Sequence, residues 1–83
     1  MSYQESLLPR IETTPGVCGG AACLAGTRIP VWILEQYRRS GASDAELSRS
    51  YPGLRAEDLV HAWAYVRSHQ NEIERHIREN EAA

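Results

Sequence analysis

The sequence predicts a mostly α-helical fold: a three-helix helix-turn-helix domain with a short N-terminal two-stranded β-ribbon and a long C-terminal helix. Three observations carry this. Apolar residues recur at helical spacing from Val31 onward. Glycine and proline cluster before residue 31, reappear only at Gly41, Pro52 and Gly53, and are absent after that. Helix-start and helix-stop residues stand at the borders so defined. The chain of 83 residues has the size of one domain. At that length folding buries only about 60% of the unfolded surface, so stability is marginal and dimerisation or a partner is one way to bury more. The reading divides the chain into a flexible arm over 1–9, a helix-turn-helix-like domain over 10–68 and a projecting helical extension over 69–83.

Residues 1–9 are polar and end at Pro9. Arg10–Thr13 alternates in polarity and reads as a short strand, with Arg28-Ile29 as its partner across a loop holding four glycines. Such a ribbon is marginal alone and must pack on helices or pair with another copy. Pro30 suits the start of a helix, where its missing N–H is no loss. That helix runs over 31–39, with Ile33, Leu34 and Tyr37 on one face. Arg38 and Arg39 complement the dipole at its end, and Gly41 stops it. Ser43-Asp44-Ala45-Glu46 is a capping box opening a short second helix over 44–50, anchored by Leu47. Tyr51-Pro52-Gly53 is a turn, since proline disfavours helix at the preceding residue.

The third helix starts near Arg55, with Leu54 and Leu59 spaced as a hydrophobic staple and Glu57 and Asp58 in the dipole-favoured first turn. Its apolar stripe is Leu59, Trp63, Val66, Ile73 and Ile77, interrupted at Gln70. With no glycine or proline to stop it, the helix is expected to run unbroken to about Glu79, roughly 36 Å at 1.5 Å per residue. That outgrows a core made with two short helices. Apolar residues on a projecting helix need cover, and the expected cover is a second copy or another protein. Trp63, Val66, Ile73 and Ile77, with Arg75 and Arg78 beside them, are the candidate partner-binding residues. The alternative is a solvated tail held by pairs such as Glu74–Arg78 and Glu72–His76.

Composition narrows the function. Apolar content of 42% with 24% charged residues is that of a globular chain rather than a disordered one. No apolar run approaches the roughly 18 residues of a membrane helix, and the first residues lack a basic segment followed by an apolar one. A cytoplasmic protein without membrane contact is expected. A net charge of −2 argues against strong nonspecific nucleic-acid binding. All basic residues are arginines, and only the middle of the chain has them in excess: 31–55 holds four against three acids, whereas 56–83 holds three against six.

A short helix, tight turn and longer helix resemble the DNA-binding arrangement whose second helix enters the major groove. Here that helix opens with Arg55, Glu57, Asp58 and His61, and its carboxylates would face phosphates. The better candidate DNA surface combines Arg28, Arg38, Arg39, Arg49 and Arg55; the alternative is a set of solvated arginines. Nothing points to catalysis. No Ser/His/Asp or Cys/His spacing stands out, and Gly19-Gly20 with Gly26 does not fit a phosphate-binding loop. Cys18 and Cys23 fall short of a structural zinc set and are read as small thiols packing a tight loop. No enzyme activity, metal or cofactor is expected.

The strings Pro15–Gly20, Gly26-Thr27-Arg28-Ile29-Pro30-Val31, Gly41-Ala42-Ser43 and Tyr51-Pro52-Gly53-Leu54 followed by Glu57-Asp58 resemble the domain-of-unknown-function 433 family over roughly residues 10–68. The resemblance implies a small homeodomain-like or winged-helix-like protein. It also implies an antitoxin of VapB type, paired with a PIN-like ribonuclease toxin and repressing its own operon by binding operator DNA; the small core adds the expectation of a homodimer. This chain departs from the family pattern at Ala21-Ala22 and Ala25, where basic residues and a proline are frequent. It departs again at Arg55, where a Ser or Thr cap is usual and whose loss costs about 1 kcal/mol. PIN-like toxins are implied to hold Mg²⁺ in a carboxylate cluster. An arginine suits such a site because it pairs bidentately and stays charged. On this reading Ile73 and Ile77 anchor the C-terminal helix while Arg75 or Arg78 occupies the acidic site. The alternatives are a DNA-binding regulator without a toxin partner, and a dimeric scaffold whose long helices pair with each other.

Overall fold

The structure, a computed structural model, describes residues 11–13, 20–25, 27 and 29–82. The expected arm over 1–9 lies outside these residues. Among them the chain forms a two-stranded antiparallel sheet, β1 (Ile11–Glu12) and β2 (Cys23–Leu24), followed by four helices: α1 (Val31–Arg39), α2 (Asp44–Ser50), α3 (Ala56–Ser68) and α4 (Gln70–Ala82). The mostly helical reading holds. The helix count is four where three were expected.

The ribbon pairs Ile11 with Leu24 and Glu12 with Cys23. The second strand is therefore Cys23–Leu24 and not Arg28-Ile29; Arg28 lies outside the described residues. Ile29 comes back along the other edge of β2, where its carbonyl accepts from the Leu24 N–H at 3.0 Å, and Cys23 bridges to Pro30. Thr27 locks this return: its N–H and hydroxyl both donate to the Leu24 carbonyl (3.0 and 2.8 Å), and its hydroxyl accepts from the Ile29 N–H. Burial explains the choice of strand. Ala21, Ala22, Cys23 and Leu24 are all within 5% exposure, so this apolar run seats the ribbon on the helices, with Ile29 half-buried against the same core. The Val31 N–H then donates to the Ala22 carbonyl, which fastens the start of α1 to the ribbon.

α1 is the central helix, packed by α2, α3 and α4. It ends in a Schellman motif: Gly41 has φ +105°, its N–H donates to the Arg38 carbonyl, and the Ala42 N–H donates to that of Tyr37. A side chain at Gly41 would be strained in that left-handed conformation. α2 opens with the expected capping box. The Ser43 hydroxyl accepts from the Glu46 N–H at 3.1 Å, and the Glu46 carboxylate accepts from the Ser43 N–H at 2.7 Å. That bond holds the Glu46 carboxyl below the usual carboxylate range. At the start of α3 the Asp58 carboxylate accepts from the Arg55 N–H at 3.0 Å, which supplies the reaching-back half of a box where residue 55 has no capping side chain. The staple residues Leu54 and Leu59 are both buried.

The expectation of one long helix with a projecting end is overturned. α3 stops at Ser68. His69 takes φ −135° and ψ 43°, and α4 sets off again from Gln70. The Ser68 hydroxyl bonds to the carbonyls of Ala64 and Tyr65, and the His69 ring stacks on Tyr65 at 3.8 Å, so side chains hold the local break. α4 turns back onto α1, and Ile73 and Ile77, 1% and 4% exposed, join Leu24, Val31, Leu34, Leu47, Leu54, Leu59, Ala62 and Val66 in one core. Burying each of these isoleucines is worth about 1.5–3 kcal/mol. That outweighs a few helical hydrogen bonds at the break, which the Ser68 and His69 side chains partly replace. The continuous stripe was itself interrupted: after Val66 a helix of unbroken phase would place His69 and Gln70 inward, and both are polar.

Candidate functional site

Two consequences follow for the expected partner surface. Val66, Ile73 and Ile77 are core residues of this chain and offer no face to another molecule. Trp63 is half-buried, with its indole N–H donating to the Asp44 carboxylate at 3.2 Å and its ring face taken by the Arg38 guanidinium, 4.6 Å from the centroid. Arg75 and Arg78 remain at the surface, on the face of α4 opposite Ile73 and Ile77. Their side chains are 59% and 65% exposed.

The expected arginine surface is largely claimed from within. Glu35, on the inner side of α1 and 5% exposed, is a buried carboxylate. Arg38 meets its Oε1, with an N–O contact of 2.6 Å, and Arg39 Nε donates to its Oε2 at 2.8 Å. Arg39 then reaches across to α4, where it donates to Glu74 at 2.9 Å. Its guanidinium, hydrogen-bonded to Glu74 and Glu35, is held even more firmly protonated than an ordinary arginine, and Glu74 is held below the usual carboxylate range. Arg55 pairs with Glu57 at 3.0 Å. Arg49 is exposed in the last turn of α2. Arg28 lies outside the described residues. The structure thus brings Arg38 and Arg39 together, but around carboxylates rather than around an open anion site.

Sequence reasoning passed over Glu35, although it stands three and four residues before Arg38 and Arg39, the spacing of helical ion pairs. It also passed over Tyr65, whose hydroxyl donates to Glu72 at 2.8 Å across the α3–α4 break. Burial and that bond push the Tyr65 hydroxyl up to about 12. Glu72 is seven residues beyond Tyr65, and the pair meets only because the chain bends between them.

Among the described residues no group of three or more His, Cys, Asp or Glu side chains could hold a metal ion. Cys23, the first residue of β2, is buried, and Cys18 lies outside the described residues. A shallow cleft of about 330 Å³ lies between the end of α1 and α2, lined by Tyr37, Ala42, Glu46, Leu47, Ser50 and Tyr51. No described helix is long and apolar enough to cross a membrane.

No curated protein matches the chain. It is 51% identical to a DUF433 member protein from Anabaena variabilis of known crystal structure, with a TM-score of 0.85 over 93% of this chain and 76% of that one. The profile of a protein family described as "Protein of unknown function (DUF433)" matches residues 11–66, from β1 to the last full turn of α3. The chain therefore belongs to the DUF433 family.

Proposed function

We propose that this protein is a binding protein of antitoxin type. It silences a PIN-like ribonuclease by presenting the outer face of α4, where Arg75 and Arg78 enter the nuclease's acidic metal site. The observation that carries this reading is the contrast between two sets of arginines. Arg38 and Arg39 hold carboxylates at 2.6–2.9 Å. Arg75 and Arg78 sit 3.8 Å from Glu79 and Glu74 and are mostly solvated. Exposed pairs of this kind are worth little, so both guanidiniums are available to exchange partners. One helical turn apart on a rigid element, they offer two forks for bidentate pairing with clustered carboxylates. The class of partner is the one that the sequence resemblance implies, and the family description itself names no function. Ile73 and Ile77 act in this reading by fixing α4 on the body, not by touching the nuclease.

Operator binding has less support. Phosphates would have to displace Glu35 and Glu74 from Arg38 and Arg39, and Glu57 from Arg55, on a chain of net charge −2. The test is co-expression with a PIN-like ribonuclease, should one be encoded beside this protein, comparing wild type with the double variant R75E/R78E. The variant should keep its far-UV circular dichroism and melting temperature, because both side chains are exposed. It should weaken inhibition by about 100-fold, as expected from losing a desolvated charge pair at an interface. Equal inhibition by both proteins, or a nuclease indifferent to the wild type, would end the proposal.

A further inference from the structure

The outer face of α3 is not used by the core or by the nuclease reading. Leu59, Ala62 and Val66 point inward, and Glu57, Val60, Ala64 and Arg67 lie on the opposite side, all exposed. Val60 is 65% exposed, a large apolar side chain with no cover among the described residues. These four positions recur at steps of three, four and three residues, the spacing of a seam between two packed helices.

We propose that this face is the seat of a second copy of the chain, with the two α3 helices antiparallel about a twofold axis. The sequence of the face is self-complementary in that direction. The twofold axis passes between Val60 and Ala64, so each Val60 meets the partner copy's alanine and each Glu57 meets the partner copy's arginine at the far end. A twofold interface must match itself in this way. Ala64, and Ala56 beside the seam, lack the bulk that would hold the helices apart, which permits an interaxial distance of about 8 Å. Within one chain Glu57 and Arg67 are ten residues apart on a straight helix, about 15 Å, and cannot pair. Within the chain Glu57 has Arg55 at 3.0 Å, an exposed pair that contributes little, and Arg67 is the cation it would meet across the axis. As a DNA-reading surface the same face is poor: Glu57 would oppose phosphates, and Val60 and Ala64 carry no hydrogen-bonding group. Dimerisation here leaves Arg75 and Arg78 on a different helix, so it stands or falls independently of the nuclease reading.

Sedimentation equilibrium of the full chain at micromolar to submillimolar concentration tests this, with circular dichroism to confirm folding. The wild type should be dimeric. V60E should raise the dimer dissociation constant by about tenfold or more, as a loss of about 1.4 kcal/mol requires. E57R alone and R67E alone should each weaken association. The double variant E57R/R67E, which exchanges the two charges within every chain, should restore it, because each new pair again meets across the axis. A wild type that stays monomeric throughout, a dimer unaffected by V60E, or a double variant no better than the single ones would overturn the assignment.

Discussion

Replacing Ile73 with alanine is expected to destabilise the protein by about 2–5 kcal/mol, the range for truncating a large aliphatic side chain in a packed core. Ile73 is 1% exposed and belongs to the cluster that joins β2 to all four helices. A domain of this size has little stability to spare, so I73A should lower the urea midpoint severely, and I73A combined with I77A should leave no cooperative transition. An isoleucine on a solvated tail would behave differently, since surface substitutions stay within about 0.5 kcal/mol. The same burial means that a chain cut after His69 loses part of its core along with its last helix. Truncation therefore cannot separate binding by α4 from folding, whereas exchange of Arg75 and Arg78 can.

The second large effect is expected at Glu35. Its carboxylate is buried, takes both Arg38 and Arg39, and through Arg39 is linked to Glu74 on α4. E35Q keeps the shape of the side chain but removes the charge that three short contacts satisfy. Hydrogen bonds to charged groups contribute about 1.5–3 kcal/mol each, and the two guanidiniums are nearly half exposed, which reduces that figure. A loss of about 2 kcal/mol is expected from denaturant unfolding, largely retained at high salt because the carboxylate itself is shielded from solvent. E74Q removes only the exposed end of the network and should lower the denaturation midpoint less than E35Q does. Equal effects of the two variants would mean that Glu35 is not the hub of the cluster.

The parts of the fold that could be read from the sequence are those fixed by neighbours along the chain. The Ser43–Glu46 box, the glycine stop at Gly41 and the Leu54–Leu59 staple each involve residues within about one turn of each other, and each stands where the sequence placed it. The break between α3 and α4 was hidden because Ser68-His69 contains neither glycine nor proline. It is held by a hydroxyl and a ring stack, and repaid by isoleucines that reach α1. Its trace in the sequence was the polar pair His69-Gln70 where the stripe needed an apolar residue. Strand β2 was hidden among glycines: two residues long, it owes its position to the burial of Leu24, not to alternation. At the arginine surface, the Glu35 pairs were legible as helical spacings, but the Arg39–Glu74 contact spans 35 residues and depends on the fold-back of α4. Seen without Glu35 and Glu74, Arg38 and Arg39 read as open cations.

The fold-back of α4 onto α1 supports the whole account: it buries Ile73 and Ile77, pairs Arg39 with Glu74 and turns Arg75 and Arg78 outward. Native-state hydrogen exchange of the Ile73 and Ile77 amides tests it most directly. They should exchange at rates close to those of Leu34 and Glu35 in α1, slowing and quickening together with denaturant as parts of one cooperative unit. Exchange at the rate of a fraying helix end, with α1 still protected, would contradict it.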